Sequence, residues 1–389
     1  MHTVLTLNNI SPRGLELLPS HRYRIVDDAS DPDAILVRSH KMHDMAPGDK
    51  LLAVARAGAG VNNIPVEEMS RRGIPVFNAP GANANAVKEL VLAGMLMSVR
   101  NLPQALEFVR QLEGDGDSFH KAVEGGKKKF AGGELPGRTL GVVGLGAIGV
   151  KVANAALALG MNVVGYDPKI TVTSAWELSS GVRKAQSLEE VLAEADFISL
   201  HVPLNEHTRN LIDEQRLRAC KDGAVLLNFS RDGIVDRQAL PSFLDSGRIR
   251  AYVSDFPDPE LRGRDNVIAL PHLGASTQEA EENCAVMVVR QLRDYLEDGN
   301  ITNSVNFPET VMPRTEGGHR LCIANANVPN MLGQISTLLA SHELNIIDML
   351  NKSRGELAYT LVDVDKPLPD AVLDELRGIE GVLSLRTLQ

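Results

Sequence analysis

Short apolar runs alternate along the first part of the chain with stretches whose apolar positions recur at helical spacing. Val4–Leu7, Ile35–Arg38, Leu51–Ala55 and Ile74–Phe77 have the length and content of buried strands. Their alternation with helical stretches predicts a parallel sheet with crossover helices. A long helical pattern from about Ala86 to Leu112 leads into the glycine- and lysine-rich stretch Glu113–Gly133. Six further runs follow: Leu140–Gly144, Asn162–Tyr166, Phe197–His201, Ala224–Asn228, Ala251–Asp255 and Val267–Leu270. Each is apolar enough to be covered on both faces, so this block reads as a complete doubly wound sheet. A second long helix, roughly Gln278–Glu297, carries the chain back. The polar, Pro- and Gly-bearing stretch Asn300–Gly318 reads as a linker. From His319 the order strand, helix, strand, strand, helix, strand predicts a βαββαβ module with a core of its own. The expected class is α/β: two doubly wound parallel-sheet domains plus a C-terminal βαββαβ module. The boundaries fall at 1–95 with 285–310, at 96–284, and at 318–389.

The sharpest local signal is Leu140-Gly141-Val142-Val143-Gly144-Leu145-Gly146-Ala147-Ile148-Gly149. A buried strand runs into three spaced glycines, an alanine-rich helix follows, and the next strand delivers Asp167. A dinucleotide site needs these parts in this order. Gly144 permits the tight turn, Gly146 lets backbone approach a pyrophosphate, and Gly149 lets helix and strand pack closely. The helix N-terminus offers N–H groups to the phosphates. Asp167 falls close to the roughly 20-residue spacing at which an acid meets the adenosine ribose. A carboxylate there repels a 2′-phosphate, so NAD is the expected cofactor.

Composition narrows the partners. The chain has 389 residues, 43% hydrophobic and 23% charged, ordinary proportions for a globular protein of two or three domains. A net charge of −10 argues against nucleic acid or an anionic membrane as partner. The one basic run, Lys127–Lys129, reads as a solvated loop. Cys220, Cys284 and Cys322 lack metal-ligand or disulfide-framework spacing, so no metal is expected and a reducing compartment is implied. There is no signal-peptide pattern and no apolar run near 18 residues, which points to the cytoplasm.

Three residues just past strand ends suggest a reaction: Arg231, Glu260 and His272. In open α/β sheets ligands gather beyond the carboxyl ends of the strands. Hydride transfer between a 2-hydroxy acid and its keto acid uses such a set. His272 would take the hydroxyl proton. Glu260 would fix its tautomer and stabilise the imidazolium. Arg231 offers a planar fork to the substrate carboxylate. Asp255 is placed to hold the nicotinamide amide. Asp258 rivals Glu260 for the carboxylate role.

The chain resembles the D-2-hydroxyacid dehydrogenase family over nearly its whole length. The marks are Arg56-Ala57-Gly58-Ala59-Gly60-Val61-Asn62-Asn63, Asn78-Ala79-Pro80-Gly81, the glycine fingerprint, His201-Val202-Pro203-Leu204, Asn228-Phe229-Ser230-Arg231 and Pro271-His272-Leu273-Gly274-Ala275-Ser276-Thr277. The last run is specific for the branch that oxidises 3-phospho-D-glycerate to 3-phosphohydroxypyruvate in serine synthesis. The resemblance implies that Arg231, Glu260 and His272 are the family triad. It implies cofactor contacts from Ala147, Ile148, Asp167, His201, Val202, Pro203, Phe229, Ser230, Arg231, Asp255, His272 and Gly274 beside the three glycines. It further implies a substrate-binding domain contributing Arg56, Gly58 and Asn83 to a site shared with Arg231, and a homodimer or homotetramer. Arg56 and Lys129 are the candidate phosphate cations. The family's usual Asp-Val-Phe reads Asp255-Phe256-Pro257 here, and its aromatic before the dinucleotide strand is Phe130 rather than Trp. Alternatives left open are another D-2-hydroxyacid dehydrogenase, such as a glycerate dehydrogenase or hydroxypyruvate reductase, and an NAD-sensing protein without catalysis. The terminal module resembles an ACT domain, with Asn325, Asn327 and Asn345 at the positions that hold effector serine.

Overall fold

A computed structural model describes residues 1–388. Contacts divide them into two compact units, Met1–Asn83 with the chain from Gln278 onward, and Ala84–Thr277. In the first unit β1 (His2–Leu7), β2 (Tyr23–Val26), β3 (Ala34–Val37), β4 (Ala53–Arg56) and β5 (Val76–Phe77) form a parallel sheet ordered β2-β1-β3-β4-β5. The helix Gln278–Asp298 covers one face, with Ala285, Val288, Val289, Leu292 and Leu296 packed on Val4, Leu36, Ala53 and Ala55. Their three- and four-residue spacing makes that stripe. The edge strand β2 has no counterpart in the apolar pattern because Arg24 and Ile25 stay exposed.

In the second unit β6 (Thr139–Val143), β7 (Asn162–Tyr166), β8 (Arg183–Lys184), β9 (Phe197–Leu200), β10 (Ala224–Asn228), β11 (Ile249–Ser254) and β12 (Val267–Ala269) form a parallel sheet ordered β12-β11-β10-β9-β6-β7-β8. Strand order reverses between β6 and β9, which opens a crevice at their carboxyl ends. Val91, Met95, Val150 and Ala153 cover one face, and Val191, Leu192, Leu217 and Leu240 the other. The single helix expected over Ala86–Leu112 is two helices, Ala84–Val99 and Leu102–Gln111. Pro103 cannot continue the earlier helix, and Asn101 makes the break with φ 50°.

The terminal module closes the chain with β13 (His319–Ala326), β14 (Ile346–Arg354), β15 (Leu357–Val364) and β16 (Val382–Leu388), antiparallel and ordered β14-β15-β13-β16. Helices Met331–Ser341 and Asp370–Arg377 supply Ile335, Leu339, Val372 and Leu376 to a core with Leu321, Ile323 and Val362. The expected separate core is half the picture. Cys322, Ala324, Tyr359 and Leu361, on the opposite face, join Phe77, Tyr295 and Phe307 in the core of the first unit. Nor is 300–318 a free linker, since Ile301, Phe307, Thr310 and Met312 are buried. Its polar residues serve internal bonds: Asn300 Nδ2 donates to Asp294 at 3.0 Å, and Asn300 Oδ1 accepts the Met312 N–H at 3.0 Å. Arg320, fully buried, donates to both oxygens of Asp363 (2.7 and 2.8 Å) and to the carbonyls of Asp298, Met312 and Pro313. Those bonds use all five of its N–H groups, so the buried charge is fully satisfied.

Candidate active site

The glycine turn is built by close approach. Gly144 has φ 92°, and a Cβ there would stand 2.8 Å from the His201 carbonyl, where the chain crosses the end of β9. A Cβ on Gly149 would run into the Gly144 carbonyl oxygen. Around Gly146 no atom beyond its chain neighbours lies within 4 Å of where a Cβ would stand, so its side of the turn is open. The helix Ala147–Ala158 begins there without a side-chain cap, leaving first-turn N–H groups available to an anion. Asp167 spans the turn, accepting the Leu145 N–H through one oxygen and the Lys169 N–H through the other, both at 2.8 Å. Beside it lies a cavity of about 380 Å³ with Leu145, Ile170, Leu178 and Val182 as apolar walls and Asp167, Arg183, Lys184 and Gln186 as polar lining. A slot with apolar walls and a fixed carboxylate at its edge suits an adenosine and fits NAD.

Just past the end of β9 the His201 side chain is largely buried, and that burial lowers its pKa to about 4. Nε2 lies 2.8 Å from the Ser199 hydroxyl, and Nδ1 has no partner among the described residues. The ring is therefore neutral in the folded protein. The unfolded chain binds a proton near 6.5, so stability is full above that pH and falls as pH drops toward 4. The predicted loss from this group is about 3 kcal/mol. His201→Asn should flatten the acid side of a urea-midpoint profile between pH 6.5 and 4; an unchanged slope would contradict the buried neutral ring. Ser230 Oγ donates to the Val202 carbonyl, joining this loop to the one after β10. Phe229 is buried beside the helix at Gly94, where a Cβ would meet its ring at 3.1 Å.

Asp255 follows β11 and is buried, which raises its carboxyl pKa. The Gly274 N–H, donated to Oδ2 at 3.0 Å, opposes that shift, as do the nearby charges of His272 and Arg231. Oδ1 is buried without a partner among the described residues, an acceptor suited to a carboxamide N–H. His272 donates its backbone N–H to the Asp255 carbonyl at 2.8 Å and holds φ at 32°, a strained value for a residue with a Cβ. Its ring packs against Phe256, centroids 4.9 Å apart. That contact, not visible in the sequence pattern, gives a use to the departure from Asp-Val-Phe. The Arg231 guanidinium is exposed and donates to the Ser230 carbonyl at 2.7 Å, while Asn228 holds the Arg231 carbonyl at 3.0 Å.

The two rival acids are treated differently. Asp258, its side chain 8% exposed, lies 3.4 Å from Arg237 Nε and accepts the Glu260 N–H at 2.9 Å. Glu260 stands exposed in the 3₁₀ turn Pro259–Leu261, with no hydrogen bond to His272 among the described residues. The structure thus gathers Arg231, Asp255 and His272, keeps Glu260 on the adjoining turn, and occupies Asp258 elsewhere.

Arg56, Gly58 and Asn83 belong to the first unit. Arg56 ends β4 and donates Nε to the Arg38 carbonyl at 3.0 Å. The Gly58 N–H bonds the Arg56 carbonyl at 2.8 Å, and the Gly58 carbonyl accepts from Ala79 at 3.0 Å. In the terminal module Asn325 is buried, donating to the Ala326 carbonyl at 2.8 Å and accepting from Thr360 at 3.3 Å. Asn327 donates to the Gly355 carbonyl at 2.9 Å, and the Asn345 backbone N–H bonds Asp365 at 3.0 Å. Among the described residues no cluster of three His, Cys, Asp or Glu is arranged to hold a metal, and no helix is long and apolar enough to cross a membrane.

Residues 92–274 match the D-isomer specific 2-hydroxyacid dehydrogenase, NAD binding domain. The D-3-phosphoglycerate dehydrogenase of Haemophilus influenzae is 35% identical, over 90% of this chain and 83% of its own. That of Escherichia coli K12 is 32% identical, over 90% and 85%. The solved NAD+-bound 3-phosphoglycerate dehydrogenase of Entamoeba histolytica superposes with a TM-score of 0.62 at 25% identity, covering 78% of this chain and 98% of that one.

Proposed function

The chain belongs to the D-isomer specific 2-hydroxyacid dehydrogenase family, and from that premise we propose that it oxidises 3-phospho-D-glycerate to 3-phosphohydroxypyruvate. The observation that carries the reading is the gathering of Arg231, Asp255 and His272 beyond β10, β11 and β12. NAD, when bound, supplies the hydride acceptor at its nicotinamide ring. Asp255 Oδ1 accepts a carboxamide N–H and sets the ring's orientation. Arg231 pairs with the substrate carboxylate and aligns the C2–H bond. His272 takes the hydroxyl proton as the C2–H electron pair leaves and the carbonyl forms. Glu260 stabilises the imidazolium that results. Arg56, Gly58 and Asn83, on Met1–Asn83, are the proposed substrate contacts, and Ala84–Thr277 hold the dinucleotide. Arg56 and Lys129 are the proposed phosphate cations.

Residues 318–389 act as an ACT module that takes serine through Asn325, Asn327 and Asn345, and the enzyme works as a homodimer or homotetramer. Three free, buried cysteines fit a cytoplasmic location. A substrate panel tests the assignment. NADH formation should be fastest with 3-phospho-D-glycerate, slower with D-glycerate, and weak when NADP replaces NAD. Preference for an unphosphorylated 2-hydroxy acid would transfer the enzyme to another branch, and no turnover of any would favour a sensor. Serine added to the same assay should lower the rate; a flat titration removes the effector role.

A further inference from the structure

We propose that Arg237 is a positioning residue that ties together the two loops carrying Arg231 and Glu260. The inference rests on the roles assigned above to those two side chains. Asp232 directly follows Arg231, and its two oxygens face Arg237 Nε, at 3.0 Å, and Nη2. The same Nε lies 3.4 Å from Oδ2 of Asp258. The other oxygen of Asp258 accepts the Glu260 N–H at 2.9 Å and so caps the turn Pro259–Leu261. One guanidinium therefore bridges the loop after β10 to the loop after β11.

The sequences of the two loops explain why they need a bridge. Arg231-Asp232-Gly233 turns with Gly233 at φ 82° and presents Arg231 outward, where its guanidinium donates to the Ser230 carbonyl. Glu260 is likewise exposed on a three-residue turn. Neither side chain is locked by packing, so each takes its direction from the backbone beneath it. Asn228 fixes that backbone on the β10 side, bonding the Arg231 carbonyl and reaching the Tyr252 hydroxyl at 3.4 Å. Arg237 supplies the corresponding tie between the loops themselves. Asp232 takes the Nε–H and an Nη2–H in a two-point pair, so the 3.4 Å approach to Asp258 is an ion pair formed by the same guanidinium, a planar geometry that a lysine ammonium does not reproduce. Asp258 is nearly enclosed while Asp232 and Arg237 are half exposed, so the clamp is modest and salt-sensitive.

Arg237→Gln should lower kcat/KM for 3-phospho-D-glycerate about fivefold, as expected for a largely exposed pair, and leave NADH affinity unchanged. Arg237→Lys should recover part of the loss, and the wild-type advantage should shrink in 0.5 M NaCl, as screening requires. Asp232→Asn and Asp258→Asn should each resemble Arg237→Gln, with the double variant no worse than either. Amide exchange separates the clamp from the reaction. In Arg237→Gln, residues 230–236 and 258–262 should lose protection together, whatever substrate the enzyme takes. Faster exchange in both loops supports the tie even if phosphoglycerate proves not to be the substrate. Unchanged exchange at 258–262, or additive losses in the double variant, would overturn it.

Discussion

Replacing His272 with alanine is expected to cut turnover of 3-phospho-D-glycerate by about 10²- to 10⁴-fold, the range for losing a positioned general base. NADH affinity should hold, because the fold at this point depends on the backbone. The His272 N–H bonds the Asp255 carbonyl, and Asp255 Oδ2 takes the Gly274 N–H; neither needs the imidazole. The φ of 32° complicates a single variant, since any residue with a Cβ is strained there. Asparagine tolerates the left-handed region best, so His272→Asn serves as the second variant. Both should bind NADH and fail to turn over. Turnover within a few-fold of wild type in His272→Asn would remove the residue from the reaction.

The second large effect separates two glycines of one turn. A Cβ on Gly149 meets the Gly144 carbonyl oxygen, so Gly149→Ala must lift the helix Ala147–Ala158 from β6. A cost of about 1–3 kcal/mol in stability is expected, as for an overpacked core, together with loss of dinucleotide binding. Gly146 has φ −77° and open space where its Cβ would stand. Gly146→Ala should therefore melt like wild type and yet bind NADH at least tenfold more weakly, a difference of about 1.4 kcal/mol, because the added methyl occupies the path of the pyrophosphate. Thermal melts and fluorescence titration check both variants. Full NADH affinity in Gly146→Ala would mean that the phosphates bind elsewhere.

Much of this architecture was legible because parallel strands buried on both faces write continuous apolar runs. β6, β7, β9, β10 and β11 announced themselves in that way, and the edge strand β12 was legible as a short apolar run although Ala269 is exposed. β2 and β8 did not, because Arg24 and Ile25 are exposed in the first and the second consists of Arg183 and Lys184, both exposed. The partly buried segment 300–318 resembled a linker because asparagine, threonine and proline satisfy internal hydrogen bonds as readily as they face solvent. Likewise, strand alternation could not reveal that β13 and β15 bury a second face against Tyr295 and Phe307.

Within the site, the glycines and Asp167 were readable because turn geometry demands specific residues at fixed offsets. Contacts across loops were not. The Phe256 ring beneath His272, the Ser199 hydroxyl on His201, and the partition of Asp258 toward Arg237 all depend on where neighbouring strands end. The one available hint was the unusual Asp255-Phe256-Pro257.

The most direct test uses 3-phospho-D-glycerate carrying deuterium at C2 with unlabelled NAD. The reduced cofactor should gain one mass unit from a single deuteron on the nicotinamide ring, and the label should appear in no other product. Reduced cofactor without deuterium, or none formed at all, would contradict direct hydride transfer at the site gathered around His272.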